Sequence, residues 1–143
     1  MSENFISLLK KHKLRVTQAR LGILKALEGA KQPVDIEDLS KALSRRNIAV
    51  DKVTVYRGVE VLVKTGIAKQ VDFREGKLRY ELDERHHHHL VCSECGDIQA
   101  VYGDNLRSFE KKISDQYKFM VREHALEFFG VCRSCQESGV TYV

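Results

Sequence analysis

Asp51–Leu82 reads DKVTVYRGVEVLVKTG followed by IAKQVDFREGKLRYEL, and the change of period between its two halves decides the fold. In the first half Val55, Val59 and Leu62 recur at helical spacing and form one apolar stripe, while Lys52, Tyr56 and Lys64 fall largely outside it. Asp51 suits an N-cap, because its carboxylate can accept an N–H of the first turn, and Gly66 suits the stop. Gly58, mid-helix, costs about 1 kcal/mol relative to alanine, so this helix leans on its packing. In the second half IAKQVDF and KLRYEL are two β-rich runs split by Arg74-Glu75-Gly76, which predicts a hairpin.

Upstream lie shorter helical patterns. Phe5, Ile6, Leu8 and Leu9 mark an opening helix. Thr17 is the candidate N-cap of a second, with Leu21, Leu24 and Leu27 on one face and Gly29 at its end. Pro33 is expected to start a third, carrying Ile36, Leu39, Ala42 and Leu43. Helices followed by a hairpin give a winged helix over residues 1–82. The remainder, 83–143, reads as a small α/β domain, so the fold class is α+β. There HHHHLVC and DIQAVYG are expected strands around a Cys-x-x-Cys-Gly knuckle, Asn105–Gln116 is an expected helix, and KFMVREHALEFFGVC is an expected long β segment.

Charge divides at the same place. Residues 1–82 hold 17 Lys/Arg against 10 Asp/Glu, a balance of +7, and residues 83–143 hold 7 against 10, a balance of −3. A basic half suits a polyanion, and an acidic half rich in cysteine and histidine suits another task. No stretch approaches the roughly 18 apolar residues of a membrane span. MSENFISLLKKHKLRV has an amphipathic pattern rather than a signal-peptide core, so a cytoplasmic protein is expected. In that reducing compartment cysteines bind metal more readily than they form disulfides.

Cys92-x-x-Cys95 and Cys132-x-x-Cys135, 36 residues apart, supply four thiolates, the closed tetrahedral set of a structural zinc. The run His86-His87-His88-His89 is internal and continues into Leu90-Val91, unlike a purification tag. On a strand it splits, His86 and His88 facing one way and His87 and His89 the other. Glu81, at the end of the hairpin, can join His87 and His89, with Asp83 and Glu84 as competitors. His124 can join His86 and His88. Imidazole and carboxylate suit Zn(II), Fe(II), Mn(II) or Ni(II). A two-histidine, one-glutamate set with an open position also occurs in zinc enzymes. Here no HExxH pattern or evident general base accompanies it, and no catalytic residue or small organic substrate is expected.

Leu14-Arg15-Val16-Thr17-Gln18-Ala19-Arg20, Val53-Thr54-Val55-Tyr56-Arg57, HHHHLVCSECG and FFGVCRSC together resemble the ferric uptake regulator family of bacterial metal-responsive repressors, over nearly the whole chain. The resemblance implies a winged-helix DNA-binding domain, a dimerisation domain and a homodimer that reads a two-fold operator in double-stranded DNA when a regulatory metal is bound. It implies that Cys92, Cys95, Cys132 and Cys135 hold structural zinc. It implies that Glu81, His87 and His89 hold the regulatory Fe(II), Zn(II) or Mn(II), and that His86, His88 and His124 form an additional site. It implies DNA contacts by Arg15, before the second helix, and by Tyr56 and Arg57 on the fourth, which also presents Lys52 and Thr54. The chain departs from the pattern in three places. Gln32 and Pro33 stand where a histidine is often found, Ala100 where an acidic ligand is often found, and Arg107 where a glutamate is usual, with Glu110 one turn on and unassigned. Two alternatives follow: a peroxide-responsive regulator of the same family, or a zinc-stabilised DNA-binding protein that has lost metal sensing.

Overall fold

A computed structural model of the chain describes residues 4–103 and 106–139, and divides it into two compact units, Met1–Glu84 and Arg85–Val143.

The first unit contains helices α1 (Phe5–Lys11), α2 (Gln18–Gly29), α3 (Ile36–Arg45) and α4 (Lys52–Lys64), then strands β1 (Ala68–Asp72) and β2 (Leu78–Leu82). Local chemistry sets the helix starts. Thr17 Oγ1 accepts from the Arg20 N–H at 3.1 Å and Asp51 Oδ1 from the Thr54 N–H at 2.8 Å. Each satisfies an amide that the helix itself cannot. Gly66 follows α4 at φ +80°, a conformation that glycine adopts without penalty. Leu24, Leu39, Leu43, Val55, Val59 and Leu62 are fully or almost fully buried in one core that extends to Phe5 and Tyr80. Gly58 has its reason there. A Cβ at this position would lie 2.9 Å from Ile23 Cδ1, so the glycine lets α4 approach α2 closely.

α3 does not start at Pro33. Asp35 is its N-cap, in a reciprocal capping box with Asp38. Pro33 and Val34 are held by the wing instead. Arg79 Nη1 donates to the Pro33 carbonyl at 3.0 Å, and Val34 and Tyr80 exchange backbone hydrogen bonds of 2.9 and 2.7 Å. That bridge holds Val34 in the wing, and the helix begins three residues later than expected, at Ile36. β1 and β2 pair antiparallel, with Lys69 opposite Glu81.

The second unit contains β3 (His87–Cys92), β4 (Ile98–Tyr102), α5 (Leu106–Tyr117), β5 (Glu127–Gly130) and the short α6 (Arg133–Glu137). Its sheet has the order β4-β3-β5, antiparallel on one side of β3 and parallel on the other. Asn105, the expected first residue of α5, lies outside the described residues. The long β segment expected over 118–132 is reduced to four residues. The ladder with β3 begins at His89↔Glu127. His124, three residues earlier, has left the ladder and turns its ring toward His86 and His88. His124 therefore reaches them from the irregular segment before β5. The chain ends its described part in a helix that the sequence pattern does not signal: α6 begins directly after Cys132, its N-cap, and carries Cys135.

The two units differ in how they are held together. Among the described residues of the second, Cys92 and Ile98 are the buried apolar side chains, and α5 buries none. Phe109 is 57% exposed and Met120 78%.

Candidate metal centres and nucleic-acid interface

The two knuckles converge. Cys92 ends β3, Cys95 follows in the turn closed by the Gly96 N–H to the Cys92 carbonyl at 2.9 Å, and Gly96 has φ +79°. Ser93 donates through its N–H and its hydroxyl to the Gly130 carbonyl, at 2.8 and 3.0 Å, which brings the end of β5 and Cys132 alongside. The ligand atoms of Cys92, Cys95, Cys132 and Cys135 all lie within 4.8 Å of one another. Cys95 Sγ and Cys132 Sγ are 3.7 Å apart. A tetrahedral zinc with bonds of about 2.3 Å to sulfur separates its ligands by about 3.8 Å, so the spacing fits that ion.

The electrostatics agree. The Cys95 and Cys132 N–H groups point at Cys92 Sγ, at 3.5 and 3.3 Å, and hold its thiol down to about 6. Cys135, hydrogen-bonded to Cys132 and pressed against the other thiols, is pushed up to about 12. Four thiolates therefore cannot coexist here unaided, and a divalent cation is what makes the full set stable. The cluster fits a structural zinc.

The histidine run divides by face. His86 and His88 have ring centroids 4.8 Å apart and lie 5.0 and 5.1 Å from His124, forming one group whose ligand atoms fall within 4.8 Å of one another. His88 Nε2 and His124 Nε2 are 3.3 Å apart. Bonds of 2.0–2.1 Å to nitrogen around a tetrahedral zinc give about 3.3–3.4 Å. Behind His124 stands Glu110 of α5, its Oε1 in close contact with Nδ1. Arg107, exposed in the first turn of α5, makes no part of this group among the described residues.

His87 and His89 pair on the other face, with centroids 4.8 Å apart. The Arg85 carbonyl lies 2.7 Å from His87 Nδ1. A carbonyl can only accept, so Nδ1 carries the proton and the lone pair is on Nε2. Tyr102 stacks beside His87 at 5.4 Å, and the Arg85 guanidinium lies over the Tyr102 ring at 4.5 Å. Ala100 sits directly opposite His89 in the ladder, so a methyl group occupies the cross-strand position where a carboxylate could face that imidazole. In the first unit Glu81 lies on β2 with Lys69 Nζ 3.4 Å from its Oε1. The histidine groups fit a second, regulatory divalent metal.

In the first unit α4 turns one face outward. Val55 and Val59 are buried, whereas Lys52, Val53, Thr54, Tyr56 and Arg57 are exposed. Tyr56 is 49% exposed, so it is not a core aromatic. Val53, 54% exposed, was missed from sequence; the signal was that it lies off the Val55–Val59–Leu62 stripe. Lys52 pairs with Glu37 of α3, whose carboxyl this hydrogen bond lowers from its ordinary value. Arg15 is exposed, and its carbonyl accepts from Arg20 Nη1 at 2.7 Å.

Comparison with known proteins agrees with this geometry. Residues 11–129 match the model of the ferric uptake regulator family. A ferric uptake regulation protein of Neisseria meningitidis serogroup A is 33% identical over 138 residues, covering 95% of this chain and 96% of that protein. The peroxide-responsive repressor PerR of Staphylococcus epidermidis is 27% identical over 137 residues, covering 96% of this chain and 91% of that protein. The crystal structure of the Vibrio cholerae ferric uptake regulator superposes with a TM-score of 0.74 at 32% identity, covering 90% of this chain and all of that one. No helix among the described residues is long and apolar enough to cross a membrane. With a family model matched over most of its length and a relative one-third identical across nearly all of it, the chain belongs to the ferric uptake regulator family and is a metal-responsive transcriptional regulator of that kind.

Proposed function

We propose that the chain is a cytoplasmic, homodimeric repressor, not an enzyme, that grips a two-fold operator when a regulatory metal joins its two halves. The observation that carries the proposal is the face pairing of His87 and His89 at the very start of the second unit, with Nδ1 of His87 already committed to a carbonyl. Glu81 ends the wing only six residues before His87 in the chain. Glu81, His87 and His89 are thus assigned as ligands on the two sides of the junction, and His86, His88 and His124 as an additional site. The bound ion supplies a divalent charge that a wing carboxylate and two imidazoles share. Held together in this way, Glu81, His87 and His89 would restrict the orientations of the winged helix, and the DNA-competent form would gain by the difference in metal affinity between the two forms.

Residues 1–82 act as the DNA-binding domain and 83–143 as the dimerisation domain. The N-terminal half of α4 enters the major groove, where a recognition helix places its first residues against base edges. Arg57 donates to guanine, while Tyr56 and Val53 meet thymine methyl groups. Thr54 and Lys52 reach phosphate, and Arg15 approaches the minor groove. A second copy of the chain covers the apolar side chains left outside, Phe109, Phe128 and Leu90 among them. The test is the double variant His87→Ala, His89→Ala. It should keep the four-cysteine zinc and lose metal-dependent operator binding; a normal metal response would remove the interdomain assignment.

Ala100 supports a second reading, a zinc-stabilised DNA-binding protein without metal sensing, because the methyl group opposite His89 removes a donor. Operator binding that ignores every added metal would favour it. A peroxide-responsive role, as in the staphylococcal relative's name, would appear as operator release when the iron-loaded protein meets peroxide.

A further inference from the structure

The contact between Glu110 and His124 has chemical content that depends on which ring nitrogen it uses. Glu110 Oε1 meets Nδ1, whereas Nε2, on the other side of the ring, faces His88 Nε2 at 3.3 Å. An ionised carboxylate can only accept, so Nδ1 carries the proton and the lone pair of His124 lies on Nε2. The group of mutually close ligand atoms holds His86, His88 and His124 but not Glu110. The carboxylate is thus one imidazole removed from the point the three rings share. Glu110 and His124 are each largely buried, with side chains 26% and 21% exposed, so water competes weakly for this bond.

We propose that Glu110 is the positioning residue of the additional site, an outer-sphere carboxylate that fixes the His124 tautomer and aims Nε2 at the ion. This rests on the assignment of His86, His88 and His124 as metal ligands. The arrangement is the carboxylate–histidine–metal relay, in which the outer carboxylate orients the ring and raises its basicity. It also explains how the chain tolerates Arg107. The next turn of α5 supplies a carboxylate to the site, but through a ring rather than directly on the ion. The donors presented among the described residues are then three neutral nitrogens, a set that favours zinc, nickel or copper over manganese.

The experiment uses the full-length protein with its four-cysteine zinc in place and with His87→Ala and His89→Ala to silence the other histidine group, so that zinc, the probe, reports by chelator competition on the His86–His88–His124 site. Glu110→Ala should weaken zinc there about 10–100-fold, the usual effect of losing an outer-sphere partner. Glu110→Gln should stay within a few-fold of wild type, because its amide oxygen still accepts the Nδ1 proton. With cobalt(II) in the site, Glu110→Gln should leave the visible spectrum unchanged, since the same nitrogens remain on the ion. In zinc-loaded wild type, long-range nitrogen–proton correlations should place the His124 proton on Nδ1, a readout that needs no variant. Equal losses in Glu110→Gln and Glu110→Ala with a shifted cobalt spectrum would put Glu110 on the ion and overturn the proposal. So would unchanged affinity in Glu110→Ala, or a proton on Nε2. His88→Ala separates the two levels: if it leaves zinc uptake by the second site intact, the ligand assignment itself fails, whatever Glu110 does.

Discussion

Replacing Cys132 by serine should unfold one half of this protein and spare the other. Cys132 contributes twice to the knuckle pair. Its Sγ lies 3.7 Å from Cys95 Sγ, and its N–H donates to Cys92 Sγ at 3.3 Å. Serine keeps the second contribution and loses the first. The size of the effect follows from what else holds the unit. Its buried apolar side chains among the described residues are Cys92 and Ile98. Full burial of a large apolar side chain contributes about 1.5–3 kcal/mol, so this core supplies only a few kcal/mol. Structural zinc binding is of the order of 10–16 kcal/mol near neutral pH, and most of it depends on the complete thiolate set. Losing one ligand should therefore exceed the stability of the second unit. The first unit, with Leu9, Leu24, Leu43, Val55, Val59 and Leu62 fully buried, needs no metal. Metal analysis should find the zinc gone, and hydrogen exchange should show β3, β4 and β5 unprotected while α2 and α4 stay protected. A Cys132→Ser protein that retains its zinc and protects β3 as wild type does would show that the second unit does not depend on the fourth thiolate.

Three other changes probe other parts of the account. Arg57→Ala should weaken operator binding by about 1–3 kcal/mol, the discrimination carried by one good base contact, with zinc content and melting unchanged; calorimetric and gel-shift titrations check both halves. Ala100→Asp places a carboxylate on the strand position opposite His89 and should tighten the second metal on the His87–His89 face, most for ions that accept oxygen, as measured by competition with manganese(II) and zinc(II). Acid should loosen the first unit: the Thr54 N–H holds the Asp51 carboxyl below its ordinary 3.8, and the Arg79 guanidinium holds Glu75 below its ordinary 4.5. A lowered folded-state value means stability that is present above the ordinary value and is lost as pH falls through and below it. Exchange protection of α4 should therefore fall below about pH 3.8, and Asp51→Asn, which still caps but does not titrate, should flatten that fall.

What was legible in the sequence was the chemistry that acts over a few residues. Thr17 and Asp51 announce their helices because an N-cap bonds two or three residues ahead. The two Cys-x-x-Cys pairs announce a closed metal site because their spacing forms the knuckle by itself. The alternation of His86–His89 follows from the strand period. Illegible features depend on partners distant in sequence. Pro33 reads as a helix start until Arg79 and Tyr80 are seen to claim the backbone of Pro33 and Val34. KFMVREHALEFFGVC reads as one long strand, but only the part registered against β3 pairs. Glu110 sits at the wrong turn for the expected ligand, and its use becomes visible only when His124 folds back across 14 residues to meet it.

In the proposed mechanism a second metal, distinct from the four-cysteine zinc, controls DNA binding. Its most direct test is operator affinity of the zinc-loaded protein, titrated separately with iron(II), manganese(II) and further zinc(II), with metal content measured at every point. Binding should be weak at one zinc per chain, and should rise with occupancy of the histidine sites for at least one of these ions. Full operator affinity at one zinc per chain, unchanged by any further metal, would contradict it.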